Sequence, residues 1–183
     1  MIYELPLQAA GLAAGLLLIF THAFALWRPA QAGSWATSFP RARVAAGVLL
    51  AAAAIWSFLL VRDIDLGEFS PLRNVMLMAI AVGAVLAWMY VEEFLAVRAL
   101  GMVLLLAAEP LLESAALRDE PSRLLLVVLA YAWVVAGLFF VGMPYLLRDL
   151  IDWTNIQPWR WKAGCSAGLA YGAALVICAL FFW

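Results

Sequence analysis

Charged residues are scarce in this 183-residue chain: 13% are Asp, Glu, Lys or Arg, whereas 68% are hydrophobic. Soluble domains are about half apolar and about one quarter charged, so this composition excludes an ordinary soluble domain. The formal net charge is −1, and no basic region of the kind that binds nucleic acid is present. The chain is therefore predicted to be an integral membrane protein whose solvent is the lipid bilayer.

Residues with catalytic or metal-binding chemistry are also few. His22 is the only histidine, Lys162 is the only lysine, and the two cysteines, Cys165 and Cys178, lie in one apolar run. Helical geometry separates these cysteines by about 20 Å, so they cannot form a disulfide with each other. One histidine cannot supply the axial pair of a b-type haem, and no zinc site, nucleophile elbow or phosphate loop is present. No cofactor and no metal site are predicted, and the pattern favours a protein that is not an enzyme.

Long apolar runs, in contrast, fill the chain. Six runs suit helices that cross a bilayer, at residues 6–27, 44–61, 74–91, 95–117, 124–147 and 163–182. We predict an all-α fold, a polytopic transmembrane helical bundle that forms a single domain over residues 1–183. A tight turn near residues 90–93 is expected to separate the third and fourth runs. Glu92 and Glu93 are then expected in the first turn of the fourth helix, where the helix dipole favours them.

Lys and Arg residues are divided unevenly between the predicted loops. With six spans and an outside N-terminus, seven of these residues lie in inside loops and four in outside loops. Cytoplasmic loops carry the excess of positive charge, so both termini are predicted to lie outside. Ala23-Phe24-Ala25 resembles a signal-peptide cleavage site, but no basic residue precedes the long first run, so a true span is expected. The composition, rich in Ala, Gly, Leu and Arg, favours a bacterial inner-membrane protein.

Tryptophan residues lie mostly near the predicted span ends, where their amphipathic rings suit the headgroup region. Trp153, Trp159 and Trp161 fall within residues 148–162, a segment that is predicted to lie along the membrane interface with these rings as anchors. The connection 62–73 is predicted to be a similar interfacial element.

Glycines at a spacing of four residues indicate close packing of transmembrane helices. The last run carries Gly164, Gly168 and Gly172, and the first run carries Gly11 and Gly15. These residues are predicted to pack against helices of the same chain or, as the alternative, against a second chain.

Residues 59–73 and 146–160 share Leu, Ile, Asp, Pro and Arg at an offset of 87 residues. Three spans per copy would place the halves in inverted orientation, an arrangement found in many transporters. Membrane helix ends also share these residue types by composition. A 3+3 inverted repeat is therefore one of two interpretations of the similarity.

Two carboxylates, Glu109 and Glu113, lie one turn apart on one face of the fourth run, beside Pro110. An ionisable group at such depth is costly and is by default a functional hypothesis. In a low dielectric both carboxylates cannot stay ionised without a cation, so one is expected to be protonated. Pro110 is predicted to kink the helix beside Glu109, and it can leave the carbonyl of Leu106 without its helical donor. Carboxylate and carbonyl together would form a site for a proton or a small cation.

Structural alternatives exist for these glutamates. Glu109 could hydrogen-bond to a polar residue of a neighbouring helix, for which the candidates are Tyr131, Tyr171 and His22. It could instead pair with an arginine of another subunit. The run could also lie shallower in the bilayer, with Glu113 near water beside Arg118.

Three functions fit this pattern. The leading interpretation is a non-catalytic integral membrane protein that acts as a packed subunit of an oligomer or a membrane complex. The second is a small proton- or cation-coupled transporter or channel that uses Glu109 and Glu113. The third is an enzyme or carrier acting on a lipid or quinone, suggested by the aromatic span ends alone. The expected partners are the lipid bilayer and copies of this chain or other membrane subunits.

Overall fold

The computed structural model describes residues 5–91 and 93–183, and every regular element within these ranges is a helix. The α-helices are α1 Leu7–Trp27, α2 Pro29–Ser38, α3 Arg43–Asp63, α4 Arg73–Tyr90, α5 Leu95–Ala115, α6 Arg123–Gly142, α7 Tyr145–Asn155 and α8 Pro158–Phe181. Two 3-10 helices, Phe39–Arg41 and Gly67–Leu72, lead into α3 and α4.

Six helices are long and apolar enough to cross a membrane: α1, α3, α4 with the 3-10 helix before it, α5, α6 and α8. The length and composition of these helices therefore confirm the prediction of an all-helical membrane chain with six candidate spans. The two remaining helices, α2 and α7, are too short to span a bilayer, which requires about 20 residues.

Two predicted boundaries of the spans were wrong by five residues each. The sequence predicts that the fifth run continues to residue 147, but α6 ends at Gly142 because Met143, which precedes Pro144, leaves the helical region. The sequence also predicts that the last span begins at residue 163. In the structure α8 begins at Pro158, whose ring suits the first position of a helix.

The turn between α4 and α5 lies where it was predicted, but the placement of Glu93 was wrong. Glu93 precedes α5 instead of occupying its first turn, because Phe94 adopts a left-handed φ of 56° as the N-cap. Glu92 lies outside the described residues. The turn therefore uses a strained non-glycine residue where the sequence contains no Gly or Pro to mark it.

Two helix pairs approach each other closely through glycine. α1 packs along α8, and α5 packs along α6. A Cβ on Gly15 would lie 2.8 Å from the carbonyl oxygen of Gly172, and a Cβ on Gly172 would lie 2.8 Å from that of Gly15. Gly101 and Gly137 show the same reciprocal distance of 2.8 Å at the α5–α6 crossing. Such backbone contact gains the van der Waals packing that drives helix association in lipid.

α5 is the central helix and α4 is peripheral. α5 packs on α6, α3 and α1, and each of its halves contributes to a buried apolar cluster. α1 starts at one end of the molecule, where α5 and α8 finish, and we call this the terminal end. The opposite end carries α2 and α7, and we call it the α7 end. α4 packs mainly on α3, and none of its residues is buried.

Arginine side chains stabilise the C-terminal ends of four helices. The donor–acceptor pairs are Arg73 Nη2 to Ile64 O (2.8 Å), Arg98 Nη1 to Val141 O (2.8 Å), Arg123 Nη1 to Ala115 O (2.8 Å) and Arg160 Nη1 to Trp153 O (3.3 Å). The last carbonyls of a helix lack intrahelical donors and carry the negative end of its dipole, so a guanidinium suits them. Four of the chain's eleven Lys and Arg residues therefore cap helix ends.

Candidate functional site

A groove with a volume of about 480 Å³ opens between α3, α4 and α5. We call it the α3/α4/α5 groove. Six small residues contribute to its walls: Ala53, Ala54, Ala79, Gly83, Ala84 and Ala87. Ser57 is the only lining residue with a polar side chain. A Cβ on Gly83 would meet no described atom within 4 Å, so the groove has room for an apolar group at this position.

The glutamates lie on the side of α5 that lines the groove. α5 contributes Met102, Leu105 and Leu106 to the wall. Residues three and four apart share a helix face, so Glu109 follows Leu105 and Leu106 on this face, one turn nearer the terminal end. Glu113 follows after another turn, and both glutamates are half-buried. The structure therefore combines the predicted carboxylate pair with an apolar groove that the sequence did not predict.

Both glutamates lie nearer the helix end than the sequence predicts. α5 ends at Ala115 because Ala116 has an extended ψ of 142°, so the predicted continuation to residue 117 is wrong. At 1.5 Å per residue, Glu109 lies about 9 Å from this end and Glu113 about 3 Å from it. Pro110 is buried, and α5 continues through it as a helix.

The three residues proposed as hydrogen-bond partners of Glu109 lie elsewhere. Tyr131 is 58% exposed on the outer face of α6. The Tyr171 hydroxyl donates to the carbonyl oxygen of Leu125 at 2.7 Å. Glu109 itself has no hydrogen bond or ion pair with any residue in the described part of the chain. The carboxylate is thus half-buried and has no partner among the described residues.

His22 lies far from Glu109 along the helix direction. Its Nδ1 is 2.8 Å from the carbonyl oxygen of Leu18, and its ring covers Gly168, where a Cβ would collide with the imidazole. Ala14 and Ala108 belong to one buried cluster, and His22 follows Ala14 by eight residues, about 12 Å further toward the α7 end. The two titratable side chains therefore do not form one site.

Four of the five glycines proposed for packing lie against this chain. Gly11 faces the ring of Trp183, Gly15 and Gly172 face each other, and Gly168 faces His22. A Cβ on Gly164, in contrast, would meet no described atom within 4 Å. Sequence reasoning missed the crossing of Gly101 and Gly137, because each of these glycines lacks a second glycine four residues away.

The proposed interface anchors lie around α7 and the start of α8. Trp153 and Trp159 are exposed, whereas Trp161 is half-buried and its Nε1 donates to the carbonyl oxygen of Ala25 at 3.2 Å. This bond ties the start of α8 to the last turn of α1. Within residues 5–91 and 93–183, no group of three or more His, Cys, Asp or Glu side chains could hold a metal ion.

Comparison with known proteins gives no family for this chain. No family model, no curated protein and no solved structure matches it. Its function therefore has to be inferred from the α3/α4/α5 groove, the adjoining glutamates and the interfacial residues at the α7 end.

Proposed function

We propose that the six long helices cross a bacterial inner membrane as one bundle, with both termini outside. Seven Lys and Arg residues lie at the α7 end: Arg28, Arg41, Arg43, Arg98, Arg148, Arg160 and Lys162. Four lie at the terminal end: Arg62, Arg73, Arg118 and Arg123. This excess supports a cytoplasmic α7 end, with α2 and α7 at the inner interface.

The 3+3 inverted repeat stays a prediction. At the offset of 87 residues, the closely packed pair α5 and α6 corresponds to α1 and α3. α1 and α3 have no comparable contact, since α1 packs mainly on α8 and α3 on α4 and α5. Halves related by a two-fold axis would pack in equivalent pairs, so these pairings do not support the repeat.

As to function, the protein is proposed to act as a non-catalytic, packed subunit of a membrane assembly. The observation that carries this proposal is the α3/α4/α5 groove, which is lined by small residues and occupied by no helix of this chain. Small residues mark helix interfaces in membranes because they let backbones approach. The chain uses the same device internally, at the Gly15–Gly172 and Gly101–Gly137 crossings.

The occupant proposed for the groove is a helix of a second copy of this chain. α4 is the long helix that lacks cover, because none of its residues is buried, and it also forms one wall of the groove. If α4 of each copy packs beside the groove of the other, one two-fold interface covers both surfaces. Ser57 is the only polar lining side chain, so the interface would bury no charge.

The oligomeric state in a mild detergent tests this proposal. A dimer is expected by native mass measurement. In a background in which Cys165 and Cys178 are replaced by alanine, a single cysteine at an exposed position of α4, such as Val82→Cys, is expected to crosslink between copies. Exposed positions at the far side of α6, such as Val135→Cys, serve as the matched control and are expected not to crosslink. A strict monomer with no crosslink at either position would overturn the proposal.

A second candidate function is the movement of a proton or a small cation. It is favoured by one observation: Glu109 is half-buried on the groove side of α5 and has no partner in the described part of the chain. An ionisable side chain within an apolar membrane helix is by default a candidate for such a role. Liposome transport assays on Glu109 variants test this candidate.

A further inference from the structure

A second opening, the interfacial pocket, lies at the α7 end between α1, α7 and the start of α8. Its volume is about 510 Å³. Its walls include His22, Trp153, Trp159, Arg160, Trp161 and Gly164. Unlike the α3/α4/α5 groove, it combines three indole rings with a cation.

One wall of the pocket is formed by α7, which is proposed to lie at the membrane interface. α7 is amphipathic: Arg148, Asp149 and Asp152 are exposed, whereas Leu147 and Ile151 are half-buried. Such a helix lies in the plane of the interface, with its charges in water and its apolar side toward the acyl chains.

From its mouth the pocket extends toward the acyl region. Arg160 lies in the first turn of α8, and Gly164 follows it by four residues, about 6 Å deeper. No described atom lies within 4 Å of a Cβ built on Gly164, so space remains beside the helix. A molecule with a polar head and an apolar continuation would fit this profile.

Arg160 is a cation that no carboxylate of the described chain neutralises. Its guanidinium carbon lies 4.5 Å from the ring centroid of Trp153 and 5.8 Å from that of Trp159. Nη1 donates to the carbonyl oxygen of Trp153, and Nε is buried without a partner among the described residues. Arg148, in contrast, forms an ion pair with Asp149 at 2.7 Å. Arg160 thus keeps donors for an anion, and guanidinium groups match phosphate oxygens in a two-pronged geometry.

A second cation lies on the other side of Trp161. There, a pocket of about 400 Å³ is lined by Pro29, Thr154, Asn155, Trp161, Lys162 and Ser166. Trp161 and Thr154 line both pockets, so the pockets that contain Arg160 and Lys162 adjoin each other. Two cations beside hydroxyl and amide groups favour a ligand with a negative phosphate over a neutral polar group.

We propose that the interfacial pocket binds an anionic phospholipid, with Arg160 on its phosphate and its acyl chains passing Gly164 toward the bilayer. Trp153 and Trp159 hold the guanidinium in place through cation–π contacts. Lys162 adds positive charge on the far side of Trp161. This proposal goes beyond the packed-subunit function and does not depend on it.

Lipid titration of the delipidated, detergent-purified chain tests the proposal. The probes are phosphatidylglycerol, phosphatidylcholine and inorganic phosphate, and the readout is binding by native mass measurement together with thermal unfolding. Phosphatidylglycerol is expected to bind tightest and to raise the unfolding temperature with the logarithm of its concentration once binding is saturated. Equal binding of phosphatidylcholine would overturn the proposed selectivity for anionic lipid. Equal stabilisation by inorganic phosphate would show a soluble anion as the ligand and would overturn the lipid assignment.

Two variants with matched controls locate the site. Arg160→Gln is expected to weaken phosphatidylglycerol binding by about tenfold or more, because charge-assisted bonds are lost. Gly164→Leu is expected to block the pocket without disturbing the fold, since it has free space. The controls are Arg148→Gln, which removes an exposed cation of α7, and Gly142→Leu, which also has no neighbour within 4 Å. Wild-type binding by both test variants would overturn the proposal. If Arg160→Gln fails to fold, Gly164→Leu alone decides.

Discussion

Gly15 and Gly172 meet where neither residue has room for a side chain: a Cβ on either one would lie 2.8 Å from the carbonyl oxygen of the other. This contact holds α1 against α8 along their length, although the two helices lie at opposite ends of the sequence. In lipid, apolar burial gives no drive for helices to associate, so van der Waals contact at such crossings carries much of the stability.

Gly15→Leu is therefore expected to destabilise the fold. The added side chain would meet the carbonyl of Gly172 and the side chains of Leu175 and Val176. Overpacking of this kind costs about 1–3 kcal/mol, and the cost here should reach at least the upper part of that range because one obstacle is backbone. Thermal unfolding in detergent measures it. Gly142→Leu is the control, and equal stability of the two variants would mean that the crossing is not close in the protein.

Gly83→Leu tests the α3/α4/α5 groove without disturbing the fold. No described atom lies within 4 Å of the added Cβ, so the monomer should unfold at the wild-type temperature or slightly above it. The new side chain would occupy the space proposed for a helix of the second copy. The dimer is therefore expected to be weaker, with a dissociation constant about tenfold higher or more, as measured by native mass measurement over a range of protein concentrations. Gly164→Leu fills the interfacial pocket instead and should leave dimerisation unchanged. Weaker dimerisation of Gly164→Leu together with wild-type dimerisation of Gly83→Leu would refute the assignment of the groove.

Arg123→Gln is expected to destabilise the junction between α5 and α6. Arg123 Nη1 donates to the carbonyl oxygen of Ala115, the last residue of α5, at 2.8 Å. Loss of a hydrogen bond from a charged donor costs about 1.5–3 kcal/mol. Arg118→Gln removes an exposed cation from the same loop, and it should have little effect on the unfolding temperature. Equal unfolding temperatures for the two variants would show that the cap contributes nothing.

Apolar run length was sufficient to predict the helices but not how they pack. Each span could be found because lipid requires about 20 apolar residues. The faces that meet could not be found the same way, because in lipid both faces of a helix are apolar. Gly11, Gly15, Gly168 and Gly172 could be singled out by their spacing, whereas Gly101 and Gly137 meet as single glycines that only the tertiary structure pairs.

The polar contacts were also beyond the sequence. Arg98 and Val141 are 43 residues apart, so no local pattern indicates that one caps the helix of the other. The short helix α2 was missed because it contains Gly33 and several small polar residues, although Pro29 at its first position was a start signal. The glutamates could be singled out because charges are rare in lipid, but the groove beside them depends on how α3 and α4 are placed.

Glu109→Gln separates a titrating role from a structural role of this carboxylate. Glutamine keeps the size of the side chain but cannot release a proton, so proton or cation movement into liposomes should be abolished if Glu109 is the carrier. The fold should survive, because Glu109 has no hydrogen bond to a described residue that the change would break. Thermal unfolding of the variant checks this directly.

Glu113→Gln is the matched control for this experiment. Glu113 is one turn further along the same face and about 3 Å from the end of α5, close to the headgroups, where a carboxylate can stay hydrated. Its removal leaves the deeper carboxylate of Glu109 in place, so transport should continue. If the wild type moves ions and Glu109→Gln does so at the same rate and with the same pH dependence, Glu109 is not the carrier. The groove then serves packing alone, and the dimer measurement on Gly83→Leu becomes the deciding test of function.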